Sequence, residues 1–122
     1  MRSMAQHLHV KSILCAELAY GVEPVLADDC ILFIEVEIGQ EQATETEVFS
    51  FTAITPKALQ RYREVRWGRG LLLLPAFSWA EIDRVLARLL ASVQADSWTE
   101  AVVELRKFMD WEFDNYPPTS GH

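Results

Sequence analysis

The residues able to do chemistry are few and scattered. His7 and His9 stand two apart in a segment of alternating polarity, so both point to one side and could reach one site. Two imidazoles so placed would form a metal pair or part of an acid–base set. No Asp or Glu accompanies them in sequence, and the third histidine, His122, stands in the tail. A surface pair on an edge strand is the simpler reading. Cys15 and Cys30 lie in or beside apolar segments and read as small buried thiols, not as a disulfide framework or zinc site. The chain has no GxSxG elbow, HExxH pair or P-loop, and nothing sets a nucleophile beside a base and an orienting group. No catalytic residue, metal site or cofactor is expected. An enzyme or small ligand-binding domain would need a site built from dispersed residues, with His7, His9 and the basic segment 57–69 near a pocket.

The carboxylates are more organised. Glu35, Glu37, Glu41, Glu45 and Glu47 line a segment that reads as an exposed hairpin. Paired carboxylates can do acid–base work, but these have no basic or hydroxyl partner at fixed spacing. Two readings stand side by side. One is a solvated edge whose like charges discourage edge-to-edge pairing. The other is an anionic docking surface for a basic protein. The net charge of −7 is unevenly spread. Residues 1–56 carry −7 and residues 70–122 carry −4, while 57–69 carry +4 through Lys57, Arg61, Arg63, Arg66 and Arg69 against Glu64. An acidic surface repels nucleic acid. The basic segment lacks a glycine-rich phosphate loop, and paired surface charges within the fold account for it.

The C-terminal part is rich in aromatics: Trp98, Phe108, Trp111, Phe113 and Tyr116. Helical spacing puts Trp98 and Phe113 on an apolar stripe and Trp111 among Glu100, Glu104 and Lys107. An exposed Trp beside acids has the composition of a binding hot spot. The alternative is that the helix ends before it, or that the tail folds over it.

These residues need a scaffold, and the chain is long enough to supply one. Its 122 residues are one domain's worth, half of them hydrophobic and 24% charged, which argues against disorder. Folding should bury roughly two-thirds of the chain's surface. The longest apolar run, Leu71 to Phe77, is too short to cross a bilayer, and the N-terminus lacks the apolar core of a secretory signal. A cytoplasmic protein without membrane contact is expected, with residues 1–116 as a single domain and 117–122 as a loose tail.

Alternation predicts strands over His7–Cys15, Cys30–Ile38 and Glu47–Thr55. In the first, Leu8, Val10, Ser12 and Leu14 share a side. In the second, Leu32, Ile34, Val36 and Ile38 do; in the third, Phe49, Phe51 and Ala53. The last two form an antiparallel hairpin with an acidic tip. Pro56 opens a short helix capped by Thr55 that carries Leu59 and Tyr62, and Leu71–Leu74 reads as a buried central strand. Ser78 with Glu81, and Ser97 with Glu100, announce two helices as capping boxes. The first carries Trp79, Ile82, Leu86, Leu89, Leu90 and Val93 on its inner face. The second carries Trp98, Val102, Leu105, Met109 and Phe113 and runs to Pro117–Pro118. Strands first and helices last argue for an α+β fold: an antiparallel sheet of about four strands with two C-terminal helices on one face.

Three pieces in order resemble a known family. They are Phe33 to Gly39 followed by Phe49-Ser50-Phe51-Thr52-Ala53-Ile54-Thr55-Pro56-Lys57; Gly68-Arg69-Gly70 before a buried strand; and Trp98, Leu105 and Trp111-Glu112-Phe113-Asp114-Asn115-Tyr116. Together, over about residues 30–116, they resemble the Immunity protein 8 family of bacterial polymorphic toxin systems. The resemblance implies a non-enzymatic role: binding and blocking a cognate secreted toxin domain. The acidic hairpin makes a basic nuclease one candidate for that toxin. Apart from the resemblance, a monomer or weak homodimer is expected, and the acidic balance argues against a nucleic-acid ligand. Such family hallmarks need not be contacts. The candidate docking residues are Glu35, Glu37, Glu41, Glu45 and Glu47, then Glu100, Glu104 and Trp111.

Overall fold

The structure, a computed structural model, describes residues 7–61 and 68–113. The expected Tyr62 of the short helix, Arg63, Glu64 and Arg66 of the basic segment, Tyr116, the Pro117–Pro118 stop and the tail lie outside the described residues. Strands β1 (Leu8–Leu14), β2 (Ile31–Gln40) and β3 (Thr46–Ile54) come first. Then follow α1 (Pro56–Leu59), β4 (Leu71–Leu73), α2 (Trp79–Ser92), α3 (Trp98–Leu105) and β5 (Asp110–Trp111). The fold is α+β, as the order of periodicities predicts.

The sheet runs β1-β2-β3-β4, with β5 also on β3. β1–β2, β2–β3 and β3–β5 are antiparallel, and β3–β4 is parallel. β4 and β5 therefore share one flank of β3, on Thr52–Ile54 and Phe49–Ser50. The core forms where Leu32, Ile34, Val36, Ile38, Phe49, Phe51 and Ala53 meet Trp79, Ile82, Leu86 and Leu90 of α2 and Ala101, Val102 and Leu105 of α3. Each strand gives alternate side chains to that core, so the odd-numbered residues of β2 are left on the opposite face.

Four details differ from the sequence expectation. A bulge between Val10 and Ser12 shifts the phase of β1. Leu8 and Val10 face the core before it, and Ile13 and Cys15 after it, while Leu14 turns outward and is 60% exposed. β4 is not a central, fully buried strand: it is three residues at the flank of the sheet, and Leu73 is 55% exposed. Thr55 occupies the N-cap position of α1, yet its buried hydroxyl accepts the Cys30 N–H at 2.9 Å and leaves the helix without a side-chain cap. α3 ends at Leu105. The chain turns through Phe108 and Met109 and joins the sheet as β5, so Phe113 is half exposed, not on a helical stripe.

The early end of α3 has a local cause. Phe49 and Ser50 lie on a flank of β3 that β4 does not reach, and β5 satisfies it. Arg69 collects carbonyls freed by the turn, donating to Arg106 O at 3.0 Å and Met109 O at 3.2 Å, while its guanidinium meets Asp110 at 3.0 Å. Gly70 permits this approach. It has φ +83°, and a Cβ there would stand 3.2 Å from the Asp110 carboxylate. Both serine caps form as expected: Ser78 Oγ accepts from Glu81 N and Ser97 Oγ from Glu100 N.

Candidate functional site

The β2–β3 register sorts the hairpin acids. Glu35 lies opposite Ser50 and Leu14, and Glu37 opposite Val48 and Ser12, all on the face away from α2 and α3. Successive same-face positions on a strand stand about 7 Å apart, so the two carboxylates form a short row. Glu37 accepts the Ser12 hydroxyl at 3.0 Å. Glu35 has no ion pair among the described residues. Beside the row stand two exposed apolar side chains, Leu14 and Phe33, the latter 47% exposed. Glu41 and Glu45 flank the hairpin turn and are exposed; Glu41 faces the His9 imidazole at 3.6 Å. Gly39 lets the turn close on the strand, since a Cβ there would sit 2.5 Å from the Glu45 carbonyl oxygen.

Glu47 is placed differently. It lies on the other face, two residues from Phe49, and accepts the indole N–H of Trp111 at 2.9 Å. The Arg106 guanidinium covers that indole at 5.1 Å, and the Phe113 ring meets it edge-on at 4.8 Å. Trp111 is thus a half-buried member of β5 held on three sides, not a residue on a helix's polar face. The helix acids are likewise engaged. Glu100 accepts the Asp96 N–H at 2.9 Å, and Glu104 binds Lys107 at 3.1 Å. Sequence reading missed Glu112, which is exposed and whose N–H bonds to Val48 O at the same end of the sheet. Only the strand conformation of β5 brings it there.

The basic segment is spent within the fold where it is described. Lys57 meets Asp28 at 2.9 Å, Arg61 pairs with Asp29, and Arg69 holds Asp110. The Lys57 ammonium lowers the Asp28 pKa, and the carboxylate in turn raises that of Lys57. His7 and His9 line an open groove of about 670 Å³ between β1 and α2, together with Asp83 and Gln94. The Asp83 carboxylate there accepts the Tyr20 hydroxyl, whose pKa it raises, and His9 faces Glu41. Cys15 and Cys30 are free and buried, and burial pushes both thiols up. Among the described residues no group of three or more His, Cys, Asp or Glu is arranged to hold a metal ion. No helix among them is long and apolar enough to cross a membrane.

The family model described as Immunity protein 8 matches residues 8–116. The chain belongs to the Immunity protein 8 family. No significant match was found among curated proteins or among solved structures. The match begins at the first residue of β1, so it takes in the N-terminal strand and loop that add little to the resemblance by eye. Membership implies an immunity protein that acts against a toxin. Of the residues that carry the resemblance, Phe49 and Phe51 lie in the core and Trp111 in a structural clasp.

Proposed function

We propose that this Immunity protein 8 member is a non-enzymatic, cytoplasmic inhibitor that binds and blocks a cognate toxin domain. The docking face is the side of the sheet opposite the helices. The observation that carries this reading is the pair Phe33 and Leu14, exposed beside Glu35 and Glu37, with no cation among the described residues pairing with Glu35. Apolar side chains ringed by charge form the anchor and rim of a protein interface. Glu41, Glu45 and Glu112 extend the negative field around it. Such a field favours a partner with a basic surface, and many toxins that attack nucleic acid carry basic clefts. Opposite charge also accelerates encounter above the roughly 10⁵–10⁶ M⁻¹s⁻¹ of neutral pairs.

Glu47, Glu100, Glu104 and Trp111 enter this reading as support for the surface, since each is held by a neighbour. The small-ligand alternative has a groove at His7 and His9, but Asp83 and His9 there already have partners. The test is the double reversal Glu35→Lys with Glu37→Lys. Association with the toxin domain should slow about tenfold at low salt, and its salt dependence should weaken. Unchanged rates would move the interface elsewhere on the chain.

A further inference from the structure

A second feature lies across the β4–β5 flank from the proposed docking face. α3 stops at Leu105 and β4 has only three residues, so the described residues leave the gap between α2 and this flank open. An apolar groove of about 370 Å³ remains, lined by Phe51, Leu72, Val85, Leu89 and Phe108 among others, with Arg88 at its rim. Phe108 is 55% exposed, and Leu72, Val85 and Leu89 are half-buried. An exposed Phe ring with an Arg at the rim of an apolar groove is the composition enriched at protein interfaces. Arg88 has no carboxylate partner among the described residues, whereas Arg84, one turn earlier on α2, is 2.6 Å from Glu81.

We propose that this groove receives an apolar side chain of the toxin domain, with a neighbouring carboxylate of that domain meeting Arg88. The inference rests on the proposed function. Charge complementarity selects the carboxylate, and continuity selects the partner. The docking face and the groove lie on opposite sides of the sheet and meet around its β4 edge, and an ordinary interface of about 800 Å² per partner wraps such an edge. Leu73, exposed on β4, stands at that edge. The acidic face then governs encounter, and the groove governs residence.

The test uses the C-terminal domain of the secreted protein encoded beside this chain, prepared with its activity silenced, and measures both rate constants. Phe108→Ala should raise the dissociation rate about tenfold or more and change association by less than about twofold. Arg88→Glu, an exposed change on a helix surface, should also speed dissociation and serves if Phe108→Ala misfolds. If the unaltered chain binds and both variants keep its dissociation rate, the groove proposal is wrong while the function stands. If the unaltered chain does not bind, the functional reading fails and takes the inference with it. If light scattering shows a dimer that Phe108→Ala abolishes while toxin rates stay fixed, the occupant is a second copy and the proposal is overturned.

Discussion

Replacing Trp111 by Ala separates a structural clasp from a binding hot spot. The substitution removes the N–H bond to Glu47, the Arg106 guanidinium over the ring and the edge contact with Phe113. A hydrogen bond to a charged but partly solvated carboxylate is worth about 1 kcal/mol. The cation over the ring adds about 0.5–1 kcal/mol, and the ring pair about 0.5–1.5 kcal/mol. The expected loss is therefore about 2–4 kcal/mol, read as a lower urea midpoint with an unchanged slope. Trp111→Phe should lose only about 1 kcal/mol, because the ring contacts survive. A cycle of Trp111→Phe with Glu47→Ala should be non-additive, since both remove one bond. A loss below about 1 kcal/mol for Trp111→Ala would refute the account of β5 as an anchored strand. If that small loss came with faster dissociation of the toxin domain, Trp111 would be a contact residue after all.

Three further outcomes follow from the packing. Ile82→Ala, at a fully buried position of α2, should cost about 2–5 kcal/mol, while Leu89→Ala should cost distinctly less because one side of Leu89 already faces the groove; urea titration of both checks the order. Gly39→Ala forces a Cβ against the Glu45 backbone oxygen and should destabilise by about 1–3 kcal/mol, visible as a lower melting temperature. Burial favours the neutral Cys30 thiol, so its contribution is fully present below the ordinary thiol pKa and is lost as pH rises through the raised value. Iodoacetamide should accordingly modify Cys30 slowly in the folded chain and quickly in urea.

The fold was legible wherever one local rule acted alone. Alternation placed Leu32, Ile34, Val36 and Ile38 inward without help from the rest of the chain, and both serine caps started their helices at the predicted residues. Reading failed where two rules competed. Lys11 sits at a bulge that reverses the side-chain phase of β1, and nothing in an alternating pattern announces an extra residue. Trp111 continues a helical period in sequence, yet the unpaired flank of Phe49 and Ser50 outweighs that period and draws the chain into the sheet. The same tertiary pull decides the candidate site. Glu35 and Glu37 share a face because a strand has period two, which the sequence displays. Glu47 leaves that face through register, and Glu112 arrives near it only through β5. The groove beside Phe108 was hidden for the same reason, because it exists only where α3 stops short.

The central claim is that this chain protects by binding. Its most direct test is to express the C-terminal domain encoded by the neighbouring gene, the candidate toxin, in a naive host, alone and together with this protein, and to purify what survives. The account predicts killing by the toxin domain alone, rescue by co-expression and a co-purifying complex of the two chains. Killing that co-expression does not relieve, or rescue with no complex, would contradict it.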